Sequence, residues 1–393
     1  MSENVRAIRE GEYEECLALW DAVWPEDGRA YFARYFFGDA NFQPEYVRVC
    51  IVDGRIVSAA QIVKRIVSCG DFTLTMGGIA NVATLPEYRR RGYSRACLRQ
   101  AVEVMESDAM DFSLLFTGTH ALYEGLGWER DPSTCFEAKL RPHIQVPPPA
   151  LRIREYATRD DAAIHAIYGE YNDSRPGAVR RSAAYWRDWI GLSEGRFHSR
   201  AIVAESEGAV CGYCLYRLDG PASTLEVFEF GVMPPATGVV AALLGHAAVE
   251  AQSAGIREVS LPLHENPEVA RTERWLFESG EVQSADSPMV RFLHRDSLLS
   301  GLAPELTMRW MEAGSPPGSL LFTGPYGAAR IGAVGGFLRV EEVEESGGAL
   351  GQADLFRMLT GRGLPASLSE IERRFAEALF PPQEAWFWEL DGF

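Results

Sequence analysis

Residues 86–96 read PEYRRRGYSRA, three consecutive arginines running into a glycine, in a chain whose formal net charge is -17. After Gly92 the apolar residues Ala96, Cys97, Ala101, Val102 and Met105 recur at helical spacing, which predicts a helix from near Tyr93 to near Ser107. Upstream, IANVATL alternates and is β-branched, so it reads as a strand, and Pro86 ends it because proline cannot donate to a ladder. Arg89, Arg90 and Arg91 therefore fall in a strand-to-helix loop. A helix N-terminus leaves amide N–H groups unpaired and carries roughly half a positive charge, so a solvated helix would favour acidic residues there. Three cations add repulsion unless an anion neutralises them, as a pyrophosphate would. The plainer alternative is an arginine-rich surface loop. No GxxxxGK[ST] occurs, so a Walker-type loop is excluded.

The surrounding chain must position that loop. Its 393 residues, 47% hydrophobic and 24% charged, suit two or three globular domains. The opening residues MSENVRAIREGEYEECLALW show no basic segment leading into an apolar one, and no run of apolar residues is long enough to span a bilayer, so a cytoplasmic protein without a membrane segment is expected. The seven cysteines, at 16, 50, 69, 97, 135, 211 and 214, do not resemble a disulfide framework. Cys211 and Cys214 have redox or half-zinc spacing, but they sit in a hairpin pattern where positions three apart face opposite ways. With the histidines dispersed as well, no metal is expected. Acidity argues against nucleic acid as a partner, since such binding needs a basic face, and mildly favours a cationic substrate.

Two boundaries divide the chain. The proline-rich PHIQVPPPALRIREY reads as a linker near residue 145, and a weaker break lies near residue 296, giving segments 1–145, 146–295 and 296–393. The first two echo each other. VRVCIVDGRIVSAAQIV and RAIVAESEGAVCGYCLY are each strand, short turn at Asp53-Gly54 or Glu207-Gly208, then strand; each is followed by a strand ending at proline and by an apolar-periodic helix. The third segment shows helix, three strands and two more helices, an α+β pattern.

Arg89-x-x-Gly92-x-Ser94 resembles the acyl-CoA pyrophosphate loop of the GCN5-related N-acetyltransferases, with Ser94 in place of the usual Gly or Ala. Tyr123-Glu-Gly-Leu-Gly127-Trp128, after a strand at Ser113 to Phe116, is similar to that superfamily's tyrosine, three residues, glycine, aromatic pattern. In that superfamily the tyrosine reprotonates the leaving thiolate, a task suited to a neutral phenol with a pKa of about 10. Against this stands a core aromatic packed beside Trp128. The second segment has neither motif: it reads PPATGVVAALL and ERWLFESGEVQ at the corresponding places.

Taken over its whole length, the chain resembles the enhanced intracellular survival (Eis) family. The resemblance implies an α/β (α+β) fold of two tandem GCN5-related N-acetyltransferase units, the second degenerate, followed by a sterol-carrier-like C-terminal domain. It implies acetyl-CoA as co-substrate, a primary amine such as an aminoglycoside, polyamine or lysine side chain as acceptor, and assembly as a hexamer. The backbone of Val82, Ala83 and Thr84 would bind the pantetheine arm. Arg89, Arg90, Arg91, Gly92, Tyr93, Ser94 and Arg95 would hold the pyrophosphate, and Gly118 and Thr119 would line the far side, although a serine-initiated turn is usual there. Tyr123 would be the acid and the carboxylate of Phe393 the base. His120 is an alternative base, though a histidine beside a helix start is commonly a cap or a packed surface residue. Trp20, Trp24, Tyr31, Phe32, Tyr35, Phe36 and Phe37 could wall an acceptor pocket or pack into the core. A non-catalytic acyl-CoA- or lipid-binding scaffold is the competing expectation.

Overall fold

Strand β1 (Asn4–Ala7) leads into helices α1 (Tyr13–Val23) and α2 (Gly28–Phe37), then into the long hairpin of β2 (Val47–Val52) and β3 (Arg55–Cys69). In this computed structural model the described residues are 4–69, 72–144, 151–173, 175–192, 200–218, 224–234, 238–261, 276–285, 288–325, 327–344, 349–383 and 391–392. Asp53 (φ 51°) and Gly54 (φ 81°) close the hairpin, the paired positive φ values that a two-residue turn needs to match strand twist. Next come β4 (Phe72–Thr84), α3 (Tyr93–Ser107), β5 (Phe112–Phe116), α4 (His120–Glu124), β6 (Glu129–Arg130) and β7 (Ser133–Leu140).

The middle of the chain repeats the succession. It runs β8 (Arg152–Glu155), α5 (Asp161–Asn172), a π-helical turn at Tyr185–Ile190, β9 (Arg200–Ser206), β10 (Ala209–Arg217), β11 (Thr224–Val232), α6 (Val239–Ser253), β12 (Glu258–Leu261), β13 (Phe277–Ala285) and β14 (Pro288–Phe292). Glu207 (φ 52°) and Gly208 (φ 83°) form the second hairpin's turn. The last part holds α7 (Arg295–Glu312), the antiparallel meander β15 (Ser319–Gly324), β16 (Gly327–Val334) and β17 (Phe337–Val343), then α8 (Gln352–Leu359) and α9 (Glu370–Leu379).

Among the described residues, one seven-stranded sheet has the order β1-β2-β3-β4-β5-β14-β6 and the other β8-β9-β10-β11-β12-β7-β13. The two orders correspond strand for strand, with one exchange. β7 leaves the first half of the chain to pair with β12 and β13, while β14 returns from the middle to lie between β5 and β6. The sheets therefore do not divide at the linker near residue 145, of which residues 145–150 lie outside the described set.

β3 is buried along almost its whole length, its polar residues Ser58, Gln61, Arg65 and Ser68 included. Helix α3 starts and stops where its apolar spacing predicts, burying Tyr93, Cys97, Leu98, Ala101, Val102 and Met105. Gly77 on β4 is small by necessity, since a Cβ there would collide with the Met105 side chain. Cys214 is fully buried and Cys211 partly so, both as free thiols on β10.

Candidate active site

The first sheet opens where two strands part. β4 pairs with β5 only from Met76 to Gly78, and the register between β3 and β4 slips between Ala59 and Gln61, leaving Asn81 (φ 52°) in a bulge. Bulges bend a strand and free its backbone from the ladder. Two contacts hold this one: Trp20 Nε1 donates to the Asn81 carbonyl at 2.7 Å, and Asn81 Nδ2 donates to Gln61 Oε1 at 2.9 Å. A cleft of about 710 Å³ lies against the bulge, bounded by β4, the start of α3, the β5–α4 loop and the helices α1 and α2.

Most of the residues singled out in the sequence meet in this cleft. Val82, Ala83, Thr84, Arg89, Arg90, Gly92, Tyr93, Ser94, Gly118, Thr119 and Tyr123 all line it. Arg91 and Arg95 do not. The Arg91 guanidinium donates to the Glu87 carbonyl at 3.0 Å and lies over the Tyr88 ring, and Arg95 lies against the end of α4, within reach of a Cβ placed on Gly125. Arg89 Nε donates to the Thr84 carbonyl at 3.2 Å, which ties the loop to the strand it follows.

Gly92 has φ 88° and nothing within 4 Å of a Cβ built on it, so in the protein alone glycine is required by backbone conformation rather than by crowding. It caps α3 without any side-chain hydrogen bond, and the first bond of the helix is from Ala96 N to the Gly92 carbonyl. The amides of the first turn are thus left for an external acceptor. In the second half of the chain Gly238 (φ 82°) starts α6 in the same way, without arginines around it, and residues 235–237 lie outside the described set.

Tyr123, next to last in the short helix α4, has 8% of its surface exposed. It both lines the cleft and belongs to the core cluster that contains Trp128. Its ring meets Trp128 edge-on with centroids 6.1 Å apart, and Trp128 Nε1 donates to Ser113 Oγ at 3.3 Å. Burial pushes the Tyr123 phenol up to about 12, because the low-dielectric surroundings disfavour the phenolate. His120, one turn earlier, does not line the cleft.

The aromatic residues of α1 and α2 divide along the helices, the end nearer the α1–α2 turn facing the cleft. Trp24, Tyr31 and Phe32 line the cleft, whereas Trp20, Tyr35 and Phe36 are core and Phe37 is 67% exposed. Asp27, which sequence reasoning passed over, lines the same end of the cleft; partial burial, with Glu26 beside it, raises its carboxyl above the usual range. An acidic pair, Glu26 and Asp27, in a turn between aromatic helices was the available signal.

Phe393 lies outside the described residues. Asp391, two positions earlier, is fully buried: Arg181 donates to it from Nε and Nη2, each at 2.9 Å, and Tyr185 OH donates at 2.9 Å.

Residues 4–130 match the acetyltransferase (GNAT) domain family. An uncharacterised N-acetyltransferase of Streptomyces avermitilis is 25% identical over 199 residues, 47% of this chain and 49% of that protein, so the match spans about half the length of this curated relative. Solved structures similar over the whole chain include a GCN5-related N-acetyltransferase from Anabaena variabilis, with a TM-score of 0.72, 16% identity and all of both chains covered. Another, from Kribbella flavida, has a TM-score of 0.67 at 19% identity, covering 100% of this chain and 99% of that one. Eis1 from Mycobacterium abscessus has a TM-score of 0.65 at 15% identity, again over all of both chains. At such identities the likeness is one of fold, a mixed α/β chain.

Proposed function

We propose that the protein transfers an acetyl group from acetyl-CoA directly to a primary amine, as an N-acetyltransferase of the Eis type. The observation that carries this reading is the convergence on one cleft of the bulged β4 backbone, the uncapped start of α3 with Arg89 and Arg90, and the Tyr123 phenol. In this reading Arg89, Arg90 and the first-turn amides of α3 hold the pyrophosphate, and the Val82–Thr84 backbone orients the pantetheine arm and thioester. In this reading Arg91, in the loop, and Arg95, in the first turn of α3, turn their side chains toward the phosphates. Gly118 and Thr119 flank the opposite wall.

The amine gives up a proton to the base and attacks the thioester carbon; the C–N bond forms, the C–S bond breaks, and Tyr123 gives its proton to the departing thiolate. Trp24, Tyr31 and Phe32 offer a broad apolar wall to the acceptor, and Asp27 favours a cation. The base is assigned to Phe393 from family resemblance alone, as are the sterol-carrier-like tail and the hexamer.

A thiol-detection assay for CoA release, run with acetyl-CoA and a panel of polyamines, aminoglycosides and lysine peptides, tests the reading. Amine-dependent release is expected. Tight binding of acetyl-CoA with no release across the panel would instead assign a non-catalytic acyl-CoA-binding scaffold.

A further inference from the structure

The loop that carries Tyr123 is written in the first part of the chain and held by the other two. Leu126 N and Trp128 N both donate to the Tyr123 carbonyl, at 2.9 and 3.1 Å, and Gly127 takes φ 91° to complete the turn. The carbonyls of Leu126 and Gly127 are then left for partners elsewhere. Arg291 on β14 donates to Leu126. Gln352, the first residue of α8, donates to Gly127 from Nε2 at 2.9 Å.

Gln352 is built for that contact. It is 2% exposed, and its Oε1 accepts from Phe292 N at 2.9 Å, so the amide's acceptor faces an N–H and its donor faces a carbonyl. Next to it, Ala353 N donates to the Glu129 carboxylate at 3.2 Å. Arg291 also sits over the Trp128 ring, 5.4 Å from its centroid, the ring that Tyr123 meets edge-on. Pro325 closes the third side, since a Cβ on Gly127 would lie 2.9 Å from its Cγ. Neither Arg291 nor Gln352 lines the cleft.

We propose that Arg291 and Gln352 are positioning residues for Tyr123: they fix the 123–129 turn, and through it the direction of the phenol, so that turnover in the first module depends on β14 and α8. The proposal rests on the reading of Tyr123 as the acid. A misplacement of about 1 Å at a reacting group can cost on the order of 100-fold in rate. A hydrogen bond that sets such a position therefore matters more to turnover than to binding.

The test uses the full chain and the variants Gln352→Leu and Arg291→Met, with Arg291→Lys as the conservative partner. Hydrogen exchange read on peptides covering residues 120–130 should quicken at least tenfold in the first two variants, with the α3 peptides unchanged, and Arg291→Lys should recover part of the protection. Exchange in 120–130 within twofold of the parent would overturn the clamp. With an amine that the parent acetylates, Gln352→Leu should lower kcat at least tenfold at an unchanged KM for acetyl-CoA. In a Tyr123→Phe background the same change should add less than a twofold loss. Parent-like kcat in Gln352→Leu, or losses that multiply in the double variant, would overturn the positioning role. Should Tyr123→Phe alone turn over at the parent rate, the acid assignment falls and the catalytic half of this proposal with it, while the exchange arm still decides whether the clamp exists.

Discussion

Trp20 and Asn81 are joined by a 2.7 Å hydrogen bond from an indole to a backbone carbonyl at the bulge of β4. One end of the bond is on the first helix and the other beside the backbone proposed to receive the pantetheine arm. Trp20→Phe keeps an aromatic ring in a fully buried site but removes the donor. Stability should fall by about 1–3 kcal/mol, the cost of a buried acceptor left without its partner, read by urea denaturation. Acetyl-CoA affinity, read by calorimetry, should fall as well; unchanged affinity would separate the bulge from cofactor binding.

Arg90 holds φ 62° in the loop before α3, a conformation that costs a residue with a side chain about 1–2 kcal/mol. Arg90→Gly should therefore be at least as stable as the parent, because relief of strain offsets the extra freedom of glycine in the unfolded chain. Its acetyl-CoA affinity should nevertheless drop by about tenfold or more, since a charge-assisted phosphate contact is worth about 1.5–3 kcal/mol. A protein that is both stable and full in affinity would remove Arg90 from the phosphate site.

Tyr123→Phe should leave acetyl-CoA binding almost unchanged and reduce turnover by about 100-fold or more, as loss of a general acid does. With the phenol raised to about 12 by burial, the acid stays protonated throughout the working range. The pH–rate profile should thus show no loss from this group between about pH 8 and 10. The same sign governs stability. A folded pKa above the unfolded one, about 10, gives a contribution complete below the unfolded value and lost as pH rises through the folded one. An alkaline limb near 10 that vanishes in Tyr123→Phe would contradict the assignment of the shift.

Arg181 is shared by Glu229 and Asp391, and none of the three side chains has exposed surface. Tyr213 OH donates to Glu229 at 2.5 Å. Burial raises the Glu229 carboxyl, and the Arg181 guanidinium pulls it back down. Arg181→Met leaves two buried carboxylates without their cation and should cost about 3–5 kcal/mol. With the guanidinium gone, the Glu229 carboxyl rises further. A raised carboxyl contributes stability below its unfolded pKa and loses it as pH climbs through the folded one. The variant should therefore lose more melting temperature, relative to the parent, at pH 8 than at pH 5.5. An equal loss at both values would refute this account of the cluster.

Local chemistry was legible in the sequence. The turns at Asp53-Gly54 and Glu207-Gly208, the span of α3 from Tyr93 to Ser107, and the placing of Arg89, Arg90 and Gly92 between strand and helix each depend on residues a few positions apart. Spacing within one turn or one strand is what a linear pattern records. The same reasoning named most of the cleft, because the motifs at 82–94 and 118–123 sit at strand and helix ends.

Tertiary structure decided the rest. Tyr31 lines the cleft and Tyr35 is core although they share one face of α2 and touch each other, so the difference comes from what packs at each level of the helix, and both carry the same aromatic signature in the chain. β7 and β14 each complete the other half's sheet, since a strand's own residues specify a pleated surface and not the neighbour that supplies it. Arg291 and Gln352 reach the Tyr123 loop from 165 and 225 positions away, and Arg181 reaches Asp391 across 210. Burial gives those polar contacts their weight, because an N–H or carboxylate removed from water must find a partner in the fold, and only the packed chain brings one within reach.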